Sequence, residues 1–431
     1  MLLEVGPAAD DPAVARQLRD ATRLPIGPGS AVARHYVTAL TDHPHRSATV
    51  MRGAVVGGSG AINGGYFCRG RPADFDGWNL PGWRWEDVLP HFRAIETDLD
   101  RTGPLHGADG PIRVARTTQL SPVTAMFVQR VLDLGYPWLD DLNGAPGPDG
   151  VGAVPLNIDD GVRVGPASAF LLPALPRRNL TVRPGTPALR VVMRGTRAVG
   201  VEVLGAAGAE TLTADRIVLS AGAIGSAQLL MLSGFGPADM LARAGIPVQF
   251  DLPVGAAFCD HPEWVLPVEW PGAPGRPPVE AALSEQDLEI RVYTTGFASM
   301  IGSGSADHPH IGVALMRPRS RGRLSVRSPD LADAPVLEHH YDGTEADVAA
   351  LRDGADLARL ISGMTGREAH WSTTQHLSGT VPMGPVLDER CRVRGVDGLW
   401  VVDGSIMPML PSRGPHATIA MIGHRAAEFI S

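Results

Sequence analysis

The chain has 431 residues, with 38 basic against 46 acidic side chains and a formal net charge of −8. That length and a hydrophobic content of 44% exclude a disordered chain and allow two or three domains, or one large domain with insertions. All 38 basic residues are arginine, which excludes a Schiff-base lysine and a P-loop lysine, and an acidic balance without a basic run argues against nucleic acid.

In chain order, Leu2-Leu-Glu-Val-Gly-Pro7 reads as the end of a buried strand stopped by Gly-Pro. Residues 52–65 form a glycine-rich loop entering a short helix or turn. Residues 83–96 read as a helix with Val88, Leu89, Phe92 and Ile95 on one face. β-Branched runs between turn signals over residues 180–203 predict strands and hairpins. Ile217-Val-Leu-Ser-Ala-Gly222 has the pattern of a buried parallel strand, followed by a helix over residues 226–233 ended by Gly234. From Pro262 to about Pro335 the chain turns proline-rich, with short strands predicted at residues 289–293 and 310–316. Residues 344–362 predict an amphipathic helix with Val348, Leu351, Leu357 and Leu360 on its apolar side. The end returns to a strand at residues 399–402, a loop through Pro415 and a helix over residues 417–429. The expected architecture is an α/β fold (α+β overall) in which residues 1–261 and 376–431 share one discontinuous domain. Residues 262–375 make a smaller, sheet-based one.

Cys68, Cys259 and Cys391 form neither a disulfide framework nor a CxxC pair, so a reducing compartment is expected and no metal site. No stretch of about 18 apolar residues predicts a membrane span, and the start lacks the pattern of a signal peptide. These features read as a soluble, cytoplasmic protein.

The dinucleotide fingerprint GxGxxG is absent, since Gly58-Ser-Gly-Ala-Ile-Asn63 fails at its last position. Small residues at Gly57, Gly58 and Gly60 nevertheless let backbone N–H groups approach a pyrophosphate or ring without Cβ clashes. The run from Arg52 to Asn63, followed by Phe67, Arg69-Gly-Arg-Pro72 and Asp74-Phe-Asp-Gly-Trp78, resembles the first signature of the glucose–methanol–choline (GMC) flavoprotein oxidoreductases. The resemblance continues in order through Pro81–Phe92 and Gly222–Gly236, the second signature, with Ala227 where Pro or Ser is usual. It runs on through Leu252–Pro262, His376-Leu-Ser-Gly-Thr-Val-Pro-Met-Gly384 and Leu399–Pro408. Essentially the whole chain is covered.

The resemblance implies a Rossmann-like FAD-binding domain with a discontinuous chain, plus the smaller sheet-based substrate domain of the GMC type. It implies FAD contacts at Glu4, Gly57, Gly58, Ser59, Asn63, Gly222, Ala223, Asp403 and Gly404. The reaction it implies is oxidation of a CH–OH group, with a base near the hydroxyl while hydride passes to flavin N5. His376 opens the motif that resembles the family's catalytic histidine segment, and histidine suits a base because its ordinary pKa lies near working pH. The family's second catalytic position falls on Gly414, whereas the candidate His416 lies two residues later. His416 reads either as a second catalytic residue or as a helix-cap and flavin contact. Some relatives attach FAD through a histidine where this chain has Ile62, so non-covalent FAD is expected.

GMC proteins begin with a strand, GxGxxG and a helix, and this chain begins inside the strand that follows. An upstream start codon is the favoured reading over a shortened protein, and weakened FAD binding is expected from the 431 residues as written. The short length and Arg413-Gly-Pro-His416 resemble members associated with mycofactocin, so reduced mycofactocin stands beside a small alcohol as candidate donor. The electron acceptor is left open. A flavin-containing lyase on the same scaffold and a non-catalytic remnant are the alternatives.

Overall fold

The computed structural model describes residues 1–206, 208–304, 307–364 and 366–430. Its largest sheet has seven strands in the order His370–Thr373, Pro262–Pro267, His310–Leu315, Leu288–Val292, Ala281–Glu285, Gly150–Ala153 and Trp138–Leu139. The sheet therefore draws on strands before residue 262 as well as within residues 262–375. Leu266, Leu283, Ile290, Val292, Ile311, Val313 and Leu315 form one apolar cluster with side chains of the helices Pro122–Asp133 and Glu345–Ser362.

The long helix turns differently from its predicted face. Leu351, Ala355, Ala358 and Ile361 are buried, while Leu360 is 60% exposed. The reason is close helix–sheet approach: a Cβ at Gly354 would lie 2.5 Å from Val313 Cγ1 and 2.9 Å from Leu288 Cδ1. Small residues set that face, and the larger Leu360 is left outside it.

The second module is α/β. Strand Ile217–Leu219 pairs in parallel with Leu399–Val401, in the register Ile217↔Leu399 and Leu219↔Val401. Ile217 and Leu219 are buried, but Val218, predicted to be buried, is 41% exposed. The following helix spans Gly222–Leu232, starting four residues before its predicted start, and residues 226–232 are all buried. Leu2–Leu3 pairs in parallel with Val182–Arg183, and Ala188–Arg194, Arg197–Gly205 and Gly208–Thr213 make an antiparallel sheet. A four-stranded sheet orders Arg323–Ser325, Val336–Glu338, Ala33–Asp42 and His45–Gly53. The last helix, His416–Ile430, packs on Trp85–Ile95, whose Val88, Phe92 and Ile95 are buried as expected. Among the described residues no helix is long and apolar enough to cross a membrane.

Candidate active site

A cavity of about 2420 Å³ lies between the two modules, well above the 300–1,000 Å³ typical of small-molecule pockets. Every residue singled out by sequence lines it: Glu4, Gly57, Gly58, Ser59, Asn63, Gly222, Ala223, Asp403, Gly404, His376 and His416. Chain segments hundreds of residues apart thus converge on one space.

The glycine-rich loop forms a short helix, Gly58–Ala61, preceded by Gly57 at φ 102°, with Gly58 itself at φ 57°. Both conformations favour glycine. No protein atom outside the immediate chain lies within 4 Å of where a Cβ at Gly58 or Gly222 would sit, so bare backbone faces open cavity at both points. Ser59 Oγ accepts from the Gly53 amide and Asn63 Oδ1 from the Gly65 amide, which braces the loop. Asp403 Oδ2 accepts from the Gly222 amide at 2.9 Å and from Ser226 Oγ at 2.5 Å, and Oδ1 accepts from the Ser405 amide. Its carboxylate therefore ties the segment after strand Leu399–Val401 to the helix Gly222–Leu232. Glu4 Oε1 accepts from the Gly6 amide, and burial raises its carboxyl above the usual value. A space of this volume with bare backbone at two places and an acidic side chain on its wall fits FAD.

His376 lies deep in the protein yet keeps part of its surface open to the cavity. Its Nδ1 stands 3.0 Å from His261 Nδ1, which leaves Nε2 as the ring nitrogen available for chemistry. Burial, together with the neighbouring His261, holds the His376 imidazole well below the ordinary histidine value. Burial also brings His261 down to about 4. Both rings are neutral at pH 7, so one Nδ1 donates to the other.

His416 takes a different position. Its Cε1 lies 2.7 Å from where a Cβ of Gly60 would stand, and its ring meets Phe67 edge-on at 5.5 Å. Its Nε2 is buried with no hydrogen-bond partner, and burial brings it down to about 4. Gly414 is the residue beside His376: a Cβ there would lie 3.5 Å from His376 Cε1 and 2.9 Å from Tyr66 Cδ1.

Sequence reasoning missed a charged network on the cavity wall. Tyr66 OH donates to Glu289 Oε2 at 2.5 Å, and Arg291 donates to Glu289 at 2.7 Å and to Glu263 at 2.8 Å. Tyr293 OH donates to Glu263 Oε1, and Arg413 stands 3.6 Å from Glu289. A signal existed: Glu289 and Arg291 alternate with apolar residues on strand Leu288–Val292, whose five residues are all buried. Such alternation normally marks a solvent face; here that face borders the cavity. Sequence reasoning also missed Asp260, a buried carboxylate that accepts the amides of both His261 and His376 at 2.8 Å. Away from the cavity, Glu96, Asp98 and His106 converge. Arg116 holds both oxygens of Asp98 there and Arg69 stands 3.6 Å from Glu96, so guanidinium groups supply the positive charge.

Residues 23–263 match the N-terminal model of the GMC oxidoreductases and residues 318–423 the C-terminal one. The chain belongs to the GMC oxidoreductase family. It is 41% identical over 444 residues to an uncharacterized GMC-type oxidoreductase of Rhodococcus erythropolis, covering 96% of this chain and 89% of the relative. Human mitochondrial choline dehydrogenase is 32% identical over 453 residues, covering 88% and 75% of the two chains. Among solved structures, pyridoxine 4-oxidase from Mesorbium loti superposes with a TM-score of 0.89 at 27% identity over 99% of this chain and 93% of that one. Formate oxidase shares the fold, with a TM-score of 0.86 at 21% identity over 99% and 92%. The GMC protein is thus an FAD-dependent dehydrogenase or oxidase, in a family that acts on small alcohol-type substrates.

Proposed function

We propose that this GMC protein oxidises a CH–OH group, with His376 as the base that receives the hydroxyl proton. When bound, FAD supplies the acceptor for the two electrons and the hydrogen lost from carbon. The observation that carries the reading is the placement of His376, which lines the cavity with its Nδ1 engaged by His261 and its Cε1 3.5 Å from where a Cβ of Gly414 would stand. In the tautomer in which His376 Nδ1 donates to His261 Nδ1, which this role requires, Nε2 keeps its lone pair free for the substrate. His261 is then a positioning residue that fixes the tautomer. We assign His416 to packing against the glycine loop, since its ring lies against Gly60 and its Nε2 has no hydrogen-bond partner.

The pH profile tests the base. A histidine held below its ordinary value stays neutral down to acid pH. The rate of flavin reduction should therefore be flat through neutrality and fall only below pH 6.5, as the imidazole gains its proton. An acid limb centred at or above pH 6.5 would remove His376 from this role.

We propose that FAD is held without a covalent bond. Ile62 is buried in an apolar cluster with Val55, Val56 and Ala61 and has no nucleophilic nitrogen. Acid precipitation should leave all the yellow colour in the supernatant, and colour in a washed, denatured pellet would disprove this. Reduced mycofactocin is a donor of the same chemical class, carried by the resemblance around Arg413–His416. Faster flavin reduction by simple alcohols than by reduced mycofactocin would eliminate it.

A further inference from the structure

The charged network on the substrate side of the cavity is internally balanced. Glu263 and Glu289 carry two negative charges, and Arg291 and Arg413 two positive ones. All four side chains are at most 6% exposed. Tyr66 links this network to the base, because its ring and His376 both flank Gly414 while its hydroxyl donates to Glu289. The balance is built in. Gly312 provides the space, since a Cβ there would lie 2.3 Å from Glu263 Oε1 and 3.1 Å from the Tyr293 ring.

A substrate cation entering this space would lose its hydration and need an uncompensated carboxylate or an open aromatic face in return. Neither is offered. Arg291 already bridges the two carboxylates. The Tyr293 ring already has the Arg291 guanidinium at 5.7 Å and the His310 ring stacked at 4.3 Å. Burial raises the Glu263 carboxyl despite Arg291, so any protonation there adds positive charge to the wall. His261, His310 and His376, the histidines facing the network, are held neutral by burial.

We propose that Arg291 is a specificity-determining residue that restricts the site to alcohols without a positive charge. Quaternary ammonium alcohols are excluded by the balanced Glu263–Arg291–Glu289 wall. This rests on the alcohol-oxidation reading and names the substrate class of that site. Choline, which appears in the names of several relatives, is the informative probe.

The experiment uses the FAD-loaded protein and matched pairs, each a neutral alcohol and its ammonium isostere. The first pair is 3,3-dimethylbutan-1-ol and choline, which share a shape and differ by one charge. Flavin-reduction kcat/KM should favour the neutral member at least 10-fold. Calorimetric titration of the same pairs should rank them in the same order without turnover. In Arg291→Met, if it folds, the choline-to-neutral ratio should rise at least 10-fold, because Arg413 alone then balances the two carboxylates that face the cavity. Choline equal to or better than its neutral twin, in turnover or in binding to the unaltered protein, overturns the proposal. Failure of every alcohol to reduce the flavin, with neutral members still binding more tightly, overturns the alcohol-oxidation reading and leaves the charge preference standing.

Discussion

His376→Ala should lower the rate of flavin reduction by alcohol by about 10²- to 10⁴-fold, the usual scale for loss of a general base. Flavin content should stay near that of the unaltered protein. The proposed cradle is the loop around Gly57–Asn63 and the Gly222–Asp403 junction, and His376 forms no hydrogen bond with either. His376→Gln should behave like the alanine variant, since an amide fills the space without accepting a proton at working pH. The measurement is a rapid-mixing trace of flavin bleaching, with flavin content read from the visible band. An unchanged bleaching rate in both variants would remove His376 from the chemistry.

Asp260→Ala should cost more stability than any other single change near the site. The carboxylate takes six donors: the amides of His261 and His376 at 2.8 Å, Thr373 and Tyr341 hydroxyls at 2.8 Å, His339 Nε2 at 3.1 Å and the Thr374 hydroxyl at 3.4 Å. Burial opposes its charge, yet His339 by hydrogen bond and proximity, helped by His376 and Arg52, holds the carboxyl well below the usual carboxylate range. Alanine would leave these donors buried without an acceptor, a loss of about 3–5 kcal/mol by analogy with broken buried charge networks. Because Asp260 pins the backbone of both His261 and His376, the tautomer-fixing pair should loosen too. Asp260→Asn retains one oxygen for the two amides and should keep more stability than alanine. Thermal unfolding and the pH profile of flavin reduction check this together. A positioning role predicts that the acid limb moves, which a purely structural loss would not cause. Wild-type stability in Asp260→Ala would contradict this account of the six donors.

The contrast between these two residues reflects what a linear chain can carry. The bare-backbone stretches of the cavity wall were legible because close backbone approach demands small residues at consecutive positions. The loop from Gly57 to Asn63 and the turn at Gly222 write that demand into adjacent letters. The place of His376 on the cavity wall was legible for the same reason, as part of a contiguous motif, and so were the strands and helices with regular apolar spacing. Asp260 stood within a matched segment, but nothing local revealed that donors from residues 339–341 and 373–376 would meet on it. The network of Tyr66, Glu263, Glu289, Arg291 and Arg413 was equally hidden. An alternating polar face on a strand looks the same whether it borders solvent or an interior cavity, and only packing of the seven-stranded sheet decides between them. The helix face failed in the other direction. Leucine spacing pointed Leu360 inward, but Gly354, Ala355 and Ala358 let the helix approach the sheet closely and turned Leu360 to the outside. Local conformation and backbone-ligand contact are set by neighbours in sequence. Charge pairing and helix orientation are set by neighbours in space, because electrostatics and close packing depend on distances that only the folded chain defines.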